Sequence, residues 1–282
     1  MINIKKIQEA ILDMMSKVSV DKKHNYTRKS DGKWLAGISS VAGIFPKDFL
    51  APWAAKEAVK SLGYEDEELA KETIEKIKSL SVKKFQELLH KAKTAYKDKS
   101  DTAKLDGTKG HEYLHYYILA KMRKTELPKL TDKNLERPIN QFIEWADKNI
   151  KQWILTEARV CSIKEEIAGQ LDGLAITTAD KLAIIDFKFA NQVSDDYHLQ
   201  TAGYSIPFEK YGIKIEDRII IRLPKTLTKK VYNRKTRQYD EVENKIEIAR
   251  SPFSMEFDCE TFRNARIFYR YINACKKRSI NK

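Results

Sequence analysis

Residues 169–188 read GQLDGLAITTADKLAIIDFK, two apolar runs joined by the turn Thr178-Ala179-Asp180-Lys181. Such runs on either side of a short turn predict an antiparallel hairpin built into a sheet. Asp172 stands seven residues before Ala179 and Asp186 seven after it. A symmetric hairpin therefore sets the two carboxylates opposite or beside each other, with Cβ atoms about 5 Å apart. Asp186 and Lys188 are two apart on one strand, so their side chains share a face. Like charges so placed repel unless something compensates them. Water would do this on an exposed hairpin, but the strand IIDFKF is otherwise strongly apolar, and buried strands rarely carry unpaired charge. A divalent cation would also compensate, since carboxylate oxygens are the hard ligands that Mg²⁺ or Mn²⁺ prefer. Lys188 beside them can orient or deprotonate a water, or stabilise developing negative charge. The spacing predicts equipment for metal-assisted phosphodiester hydrolysis.

Charge points the same way. The 282 residues include 53 Lys and Arg against 40 Asp and Glu, a formal net charge of +13. Such an excess suits a polyanionic partner, most simply nucleic acid. The apolar fraction of 42% excludes a wholly disordered chain. No run reaches the roughly 18 apolar residues of a membrane helix. The first eighteen residues alternate charge with apolar side chains, which predicts an amphipathic helix and not a secretion signal. The three cysteines, Cys161, Cys259 and Cys275, are widely spaced, which predicts reduced thiols and a cytoplasmic location rather than a disulfide scaffold.

Helical spacing covers residues 4–18, the segment WAAKEAVKSL after a turn framed by Pro46 and Pro52, Glu67 to Leu80 and Val82 to Tyr96. A hairpin is expected within HNYTRKSDGKWLAGI. The polar stretch KDKSDTAKLDGTKG reads as a linker to a further helix beginning at His111, and Leu135 to Ile150 reads as another. From Lys151 the texture changes to strands: WILTEARVCS, the two arms of the hairpin, and DRIIIRLPK. A helix, DDYHLQTAGYSIPFEKYG, lies between the last two, a charged hairpin follows, and a helix from about Cys259 to Lys276 closes the chain. The fold class is α/β or α+β, a central sheet flanked by helices.

The order G-x-D, turn, apolar-apolar-D-x-K resembles two motifs of the PD-(D/E)XK nuclease superfamily. Gln200 and Tyr204 supply the Q-x-x-x-Y pattern of its RecB-type branch, and Gly107-Thr108-Lys109-Gly110-His111 resembles the G-T-x-x-H motif of that branch. The N-terminal SSV and LAPWAAKEA are similar to phage-type members. The resemblance implies a restriction-endonuclease-like core with a central mixed β-sheet over residues 107–282. A mainly helical part, residues 1–106, would arch over the site, the whole forming one nuclease domain, 1–282. It implies that His111, Asp172, Asp186 and the Phe187 carbonyl ligate Mg²⁺ or Mn²⁺, that Lys188 is catalytic, and that Gln200 and Tyr204 hold DNA. Glu157 would touch the metal through a water, with Glu165 and Glu166 as weaker candidates. Four cysteines would be needed for the iron–sulfur cluster of one branch, so none is expected. The implied activity is that of an exonuclease on DNA ends or single strands, in a bacterial or phage-infected cell, with a recombination or single-strand-binding protein as companion.

Two rivals remain at this stage. His111-Glu112-Tyr113-Leu114-His115 spells the H-E-x-x-H of zinc peptidases, with Glu136 as third ligand. A non-catalytic DNA-binding module of the same fold is the other. The expected DNA path runs over Lys83, Lys84, Lys91, Lys93 and the lysines between Lys97 and Lys109. It continues over Arg222, Lys225, Lys229, Lys230, Arg234, Lys235 and Arg237 with Tyr232 and Tyr239, since rings among cations suit single strands.

Overall fold

The structure, a computed structural model, describes residues 2–280 apart from Pro46, Phe49 and Lys235, and the side chains there apart from 103, 104, 106 and 277–280. Pro46 as a turn residue, and the side chains of Lys104 and Lys235 on a DNA path, thus lie outside the described residues.

In chain order the elements are α1 (Ile4–Lys17), β1 (Val18–Val20), β2 (Tyr26–Arg28), β3 (Trp34–Gly37), α2 (Ile38–Ala42), α3 (Leu50–Lys60), α4 (Glu67–Lys78), α5 (Val82–Arg123) and α6 (Lys133–Asn149). There follow β4 (Ile150–Ser162), β5 (Ile167–Thr177), β6 (Leu182–Phe189), α7 (Asp195–Glu209), β7 (Asp217–Leu223), β8 (Thr228–Asn233), β9 (Gln238–Glu243), β10 (Glu247–Ala249) and α8 (Met255–Ile280). The chain is a mixed α/β protein, 50% helix and 24% strand. Among the described residues no helix is long and apolar enough to cross a membrane.

The chain divides into two compact units, Met1–Phe45 with Gly110–Lys282, and Pro46–Lys109. This differs from the expected division at 106/107. The first forty-five residues are not part of a helical half. Their strands β1, β2 and β3 extend the main sheet, with β3 joining β5 in parallel. The second unit holds α3, α4 and the first part of α5. There Trp53 packs edge-on against Tyr96, and Lys99 pairs with Glu57. Residues 97–110 are helical as well, so the expected linker is absent and α5 runs unbroken for 42 residues. The reason is local. Lys, Ala and Leu there are good helix formers, and an isolated glycine such as Gly107 costs only about 1 kcal/mol, too little to end a helix.

In the larger unit the sheet order is β1-β2-β3-β5-β6-β7-β10, with β4 paired to β5. β5 and β6 are antiparallel with Gly173 opposite Ile185 and Leu174 opposite Ile184, the register expected from the symmetric hairpin. β6 and β7 are parallel, with Lys188 beside Arg222. Side chains of β6 alternate between two cores. Leu182 and Ile184 pack with α1, α2, α7 and α8. Ala183, Ile185, Phe187 and Phe189 pack with Leu114, Tyr117 and Ile118 of α5 and with α6. The sheet is thus the middle of three layers, and β6, covered on both faces, reads as a continuous apolar run for that reason.

Candidate metal centre

Asp172 stands where the alternation of β5 breaks. Leu171 and Leu174 are three residues apart yet enter the same core, which a regular strand does not allow. Across the ladder, Glu157 falls between the pairs Thr156–Gly173 and Ala158–Leu171, and so faces Asp172. Its φ is +50°, a left-handed conformation that costs a non-glycine residue about 1–3 kcal/mol and tends to collect at functional sites. Gln170 donates to the Glu157 carboxylate.

Asp172 is held from two sides. Its Oδ2 accepts the Phe187 amide at 2.7 Å, and its Oδ1 lies 3.5 Å from His111 Nδ1. His111 reaches this point from α5, its ring packed on those of Phe187 and Phe189. The preceding Gly110 makes the approach feasible, because a Cβ there would fall 2.1 Å from Phe189 Cζ. Among the described residues, one set of three ligand-type side chains has donor atoms within 4.8 Å of one another: His111, Glu157 and Asp172. Glu157, expected only as an outer contact, is therefore a full member of the cluster.

Asp186 is 1% exposed, and the one described group that meets its carboxylate is the Lys188 ammonium, with Nζ 2.7 Å from Oδ2. The Lys188 ammonium also sits 5.0 Å from the ring centre of Tyr197 on α7. On the same helix Gln200 donates to Tyr204 Oη at 2.9 Å and to Ser39 Oγ at 3.1 Å.

The titrations follow from burial and crowding. Burial pushes the Asp186 carboxyl up, the neighbouring Asp172 adds to this, and Lys188 opposes it. Burial likewise raises Glu157, with Asp172 as the second cause. Asp172 would also rise by burial, but His111, Lys188 and the Phe187 amide hold it below the usual range. Burial works against charge on Lys188 and on His111, yet Asp186 and Asp172 keep Lys188 raised, and Asp172 does the same for His111. Tyr204 is pushed up by burial, then by Asp186 and Asp172, which puts its hydroxyl within electrostatic reach of the cluster. His111, Glu157 and Asp172, with the Glu157 carboxyl raised in part by Asp172, fit a hard divalent cation, while Asp186 falls outside this set of three.

Several expected residues stand elsewhere. Arg222, expected on a DNA path, is 1% exposed and bonded to Glu247 (2.9 Å), Asn244 (3.2 Å) and the Lys245 carbonyl (2.6 Å). It ties β7 to β10 and is not available to DNA. Its position inside the apolar run IIIRL was the signal of a buried strand residue. Lys225 is half-buried beside a recess that Lys133 and Arg137 also line. Glu165 pairs with Arg263 and Arg266, and Glu166 with Lys33 and Arg270, so both serve α8 and the β-hairpin rather than the cluster. His115 is directed to Thr156, 3.1 Å from its Oγ1. The Thr156 hydroxyl proton goes to the Asp172 carbonyl at 2.9 Å, so His115 must be the donor. His115 does not join His111, and Glu136 is exposed; H-E-x-x-H assembles no zinc site among the described residues. Gln170, Ser39, Tyr197 and Gly110 were not foreseen in these roles. Of these, Gly110, inside the motif before His111, and Ser39, inside the SSV segment, carried a readable signal.

No family model matches the chain, and no curated protein does. A solved structure titled "Crystal structure of SSO0001" aligns with 40% of this chain at 13% identity and a TM-score of 0.23. The alignment spans 49% of that structure's own length. A likeness of that size carries no argument.

Proposed function

We propose that this chain is a divalent-metal-dependent deoxyribonuclease that hydrolyses phosphodiester bonds, as an exonuclease on DNA ends or single strands. The observation that carries the reading is the grouping of His111, Glu157 and Asp172 next to the buried Asp186–Lys188 pair. Asp186 Oδ2 meets Lys188 at 2.7 Å and Oδ1 has no partner among the described residues, which leaves that oxygen free for a ligand. His111, Glu157, Asp172 and Asp186 would hold Mg²⁺ or Mn²⁺, which when bound supplies Lewis-acid chemistry, polarising a phosphoryl group and acidifying water.

Lys188 does the chain's own work at the reacting centre. Its charge, sustained by Asp186 and Asp172, attracts a phosphate oxygen and orients the attacking water opposite the leaving group. Tyr197 restrains the direction of the ammonium. Gln200, braced by Tyr204 and Ser39, positions the strand backbone.

The test is digestion of linear single- and double-stranded DNA, labelled separately at each end, with Mg²⁺, Mn²⁺ or EDTA. Metal-dependent loss of label is expected from the wild type, and the end lost first gives the polarity. Lys188→Ala should lower turnover by about 10²-fold or more. Asp172→Ala should abolish cleavage while sparing or strengthening DNA binding, since negative charge is removed. Full cleavage by either variant contradicts the reading, and binding without cleavage in every metal makes the chain a DNA-binding module.

A further inference from the structure

β8 and β9 form a two-stranded ribbon of their own, apart from the main sheet, with every residue of β9 exposed. Its base is fastened to the body. Arg137 on α6 pairs with Glu243 and donates to the Leu227 carbonyl at 3.2 Å, and the Asn244 amide donates to the same carbonyl at 2.9 Å. Towards the tip the chemistry changes. Between Lys229 and Asp240 the sequence has five Lys or Arg and one acid. Arg234 and Arg237 are exposed in the turn, and among the described residues neither has an ion-pair partner. The acids are engaged: Asp240 accepts from Asn233 at 2.6 Å, Glu241 from Thr228, and Glu243 from Arg137. Arg237 holds φ at +54°, where glycine or asparagine would sit without strain.

Tyr232 and Tyr239 are directly opposed in the ladder. Their ring centres are 5.3 Å apart, and the residues are 49% and 68% exposed. Lys230, two residues before Tyr232, shares their face. An opposed aromatic pair steadies a ribbon, but that service does not require so much ring surface in water or two unpaired arginines in the adjoining turn.

We propose that this ribbon binds single-stranded nucleic acid, with bases stacked on Tyr232 and Tyr239 while Lys230, Arg234 and Arg237 neutralise phosphates. Charge complementarity selects a polyanion, and exposed rings select one whose bases are free to stack, which excludes an intact duplex. The chain path ties the ribbon to the cluster. β7 runs parallel to β6 with Arg222 beside Lys188, β7 ends at Leu223, and the ribbon begins at Thr228. It therefore rises from the end of the sheet that bears Lys188, after a connection that extends at most about 18 Å. The inference rests on the proposed function only in taking the bound strand as the substrate; the binding itself requires no metal.

The test is fluorescence anisotropy of labelled oligothymidylate and of a labelled duplex with the full chain in EDTA. The single strand should bind more tightly. Tyr232→Thr with Tyr239→Thr keeps residues suited to a strand and should weaken single-strand binding about tenfold or more. Arg234→Gln with Arg237→Gln lies on an exposed turn and leaves the core untouched. It should flatten the log–log salt dependence by about 1.4, two phosphates at about 0.7 each. Unchanged single-strand affinity in both variants, equal affinity of the wild type for duplex, displacement by polyglutamate as readily as by oligothymidylate, or no binding at all would overturn the proposal. Ribbon-dependent binding without cleavage would remove the nuclease reading and keep the ribbon's role; cleavage with binding indifferent to both variants would do the reverse.

Discussion

Glu157 carries two burdens in the metal-free chain, a left-handed backbone and a half-buried charge that faces Asp172. Its pKa lies above the ordinary glutamate value. A raised carboxyl lends stability that is present at low pH and lost as pH rises through the folded-state pKa. Glu157→Gln, which cannot ionise, should therefore gain on the wild type as pH climbs from about 4 to about 8. Thermal unfolding in EDTA across that range checks the sign. In Mg²⁺ the order should reverse, because the charge that destabilises the metal-free chain binds the cation. A constant difference at all pH values in EDTA contradicts the electrostatic account. At this scale Asp172, Asp186 and Lys188 were legible in the sequence because their relation is local, fixed by one turn and the period of a strand. Glu157 was legible only as a neighbour on the preceding strand, since its left-handed backbone depends on the ladder with β5. Arg222 misled because a basic residue is ambiguous until the burial of its strand is known.

At the scale of elements, the close packing of α5 on β6 sets the position of His111. Gly110→Ala adds a methyl group where Phe189 already stands, and overpacking of this kind costs about 1–3 kcal/mol. It should also weaken Mn²⁺ binding, because the helix that carries His111 must move away from Asp172. Urea unfolding and a Mn²⁺ titration read the two effects separately. α8 is joined to β7 by a different device. Arg218 and Asp258 pair at 2.6 Å with both side chains nearly buried, and Arg218 also donates to the His198 carbonyl. Asp258→Ala should lower the unfolding free energy by about 3–5 kcal/mol, since it strands the guanidinium, with Mn²⁺ affinity unchanged. A loss below about 1 kcal/mol would mean that water reaches Arg218. The elements themselves were largely legible: the hairpin register, α7, and the strands from residue 150 onward follow from apolar runs and turn residues. The unbroken α5 was not, because polar composition marks loops and exposed helices alike.

For the whole molecule, the three layers of the larger unit have one consequence for chemistry. They cover β6 on both faces, so charges on that strand are desolvated and their interactions strengthened. The arrangement leaves an acidic centre inside a chain of net charge +13; on the proposed function, that excess of cations would draw a polyanionic substrate towards a site that otherwise repels it. On the proposed function, Asp186 binds a divalent cation together with Asp172, Glu157 and His111. Calorimetric titration of the metal-free protein with Mn²⁺ tests this most directly, with Asp186→Asn and Asp172→Asn alongside. Saturable binding by the wild type is expected, falling by at least about tenfold in each variant. Equal binding by all three proteins, or none by the wild type, would contradict it.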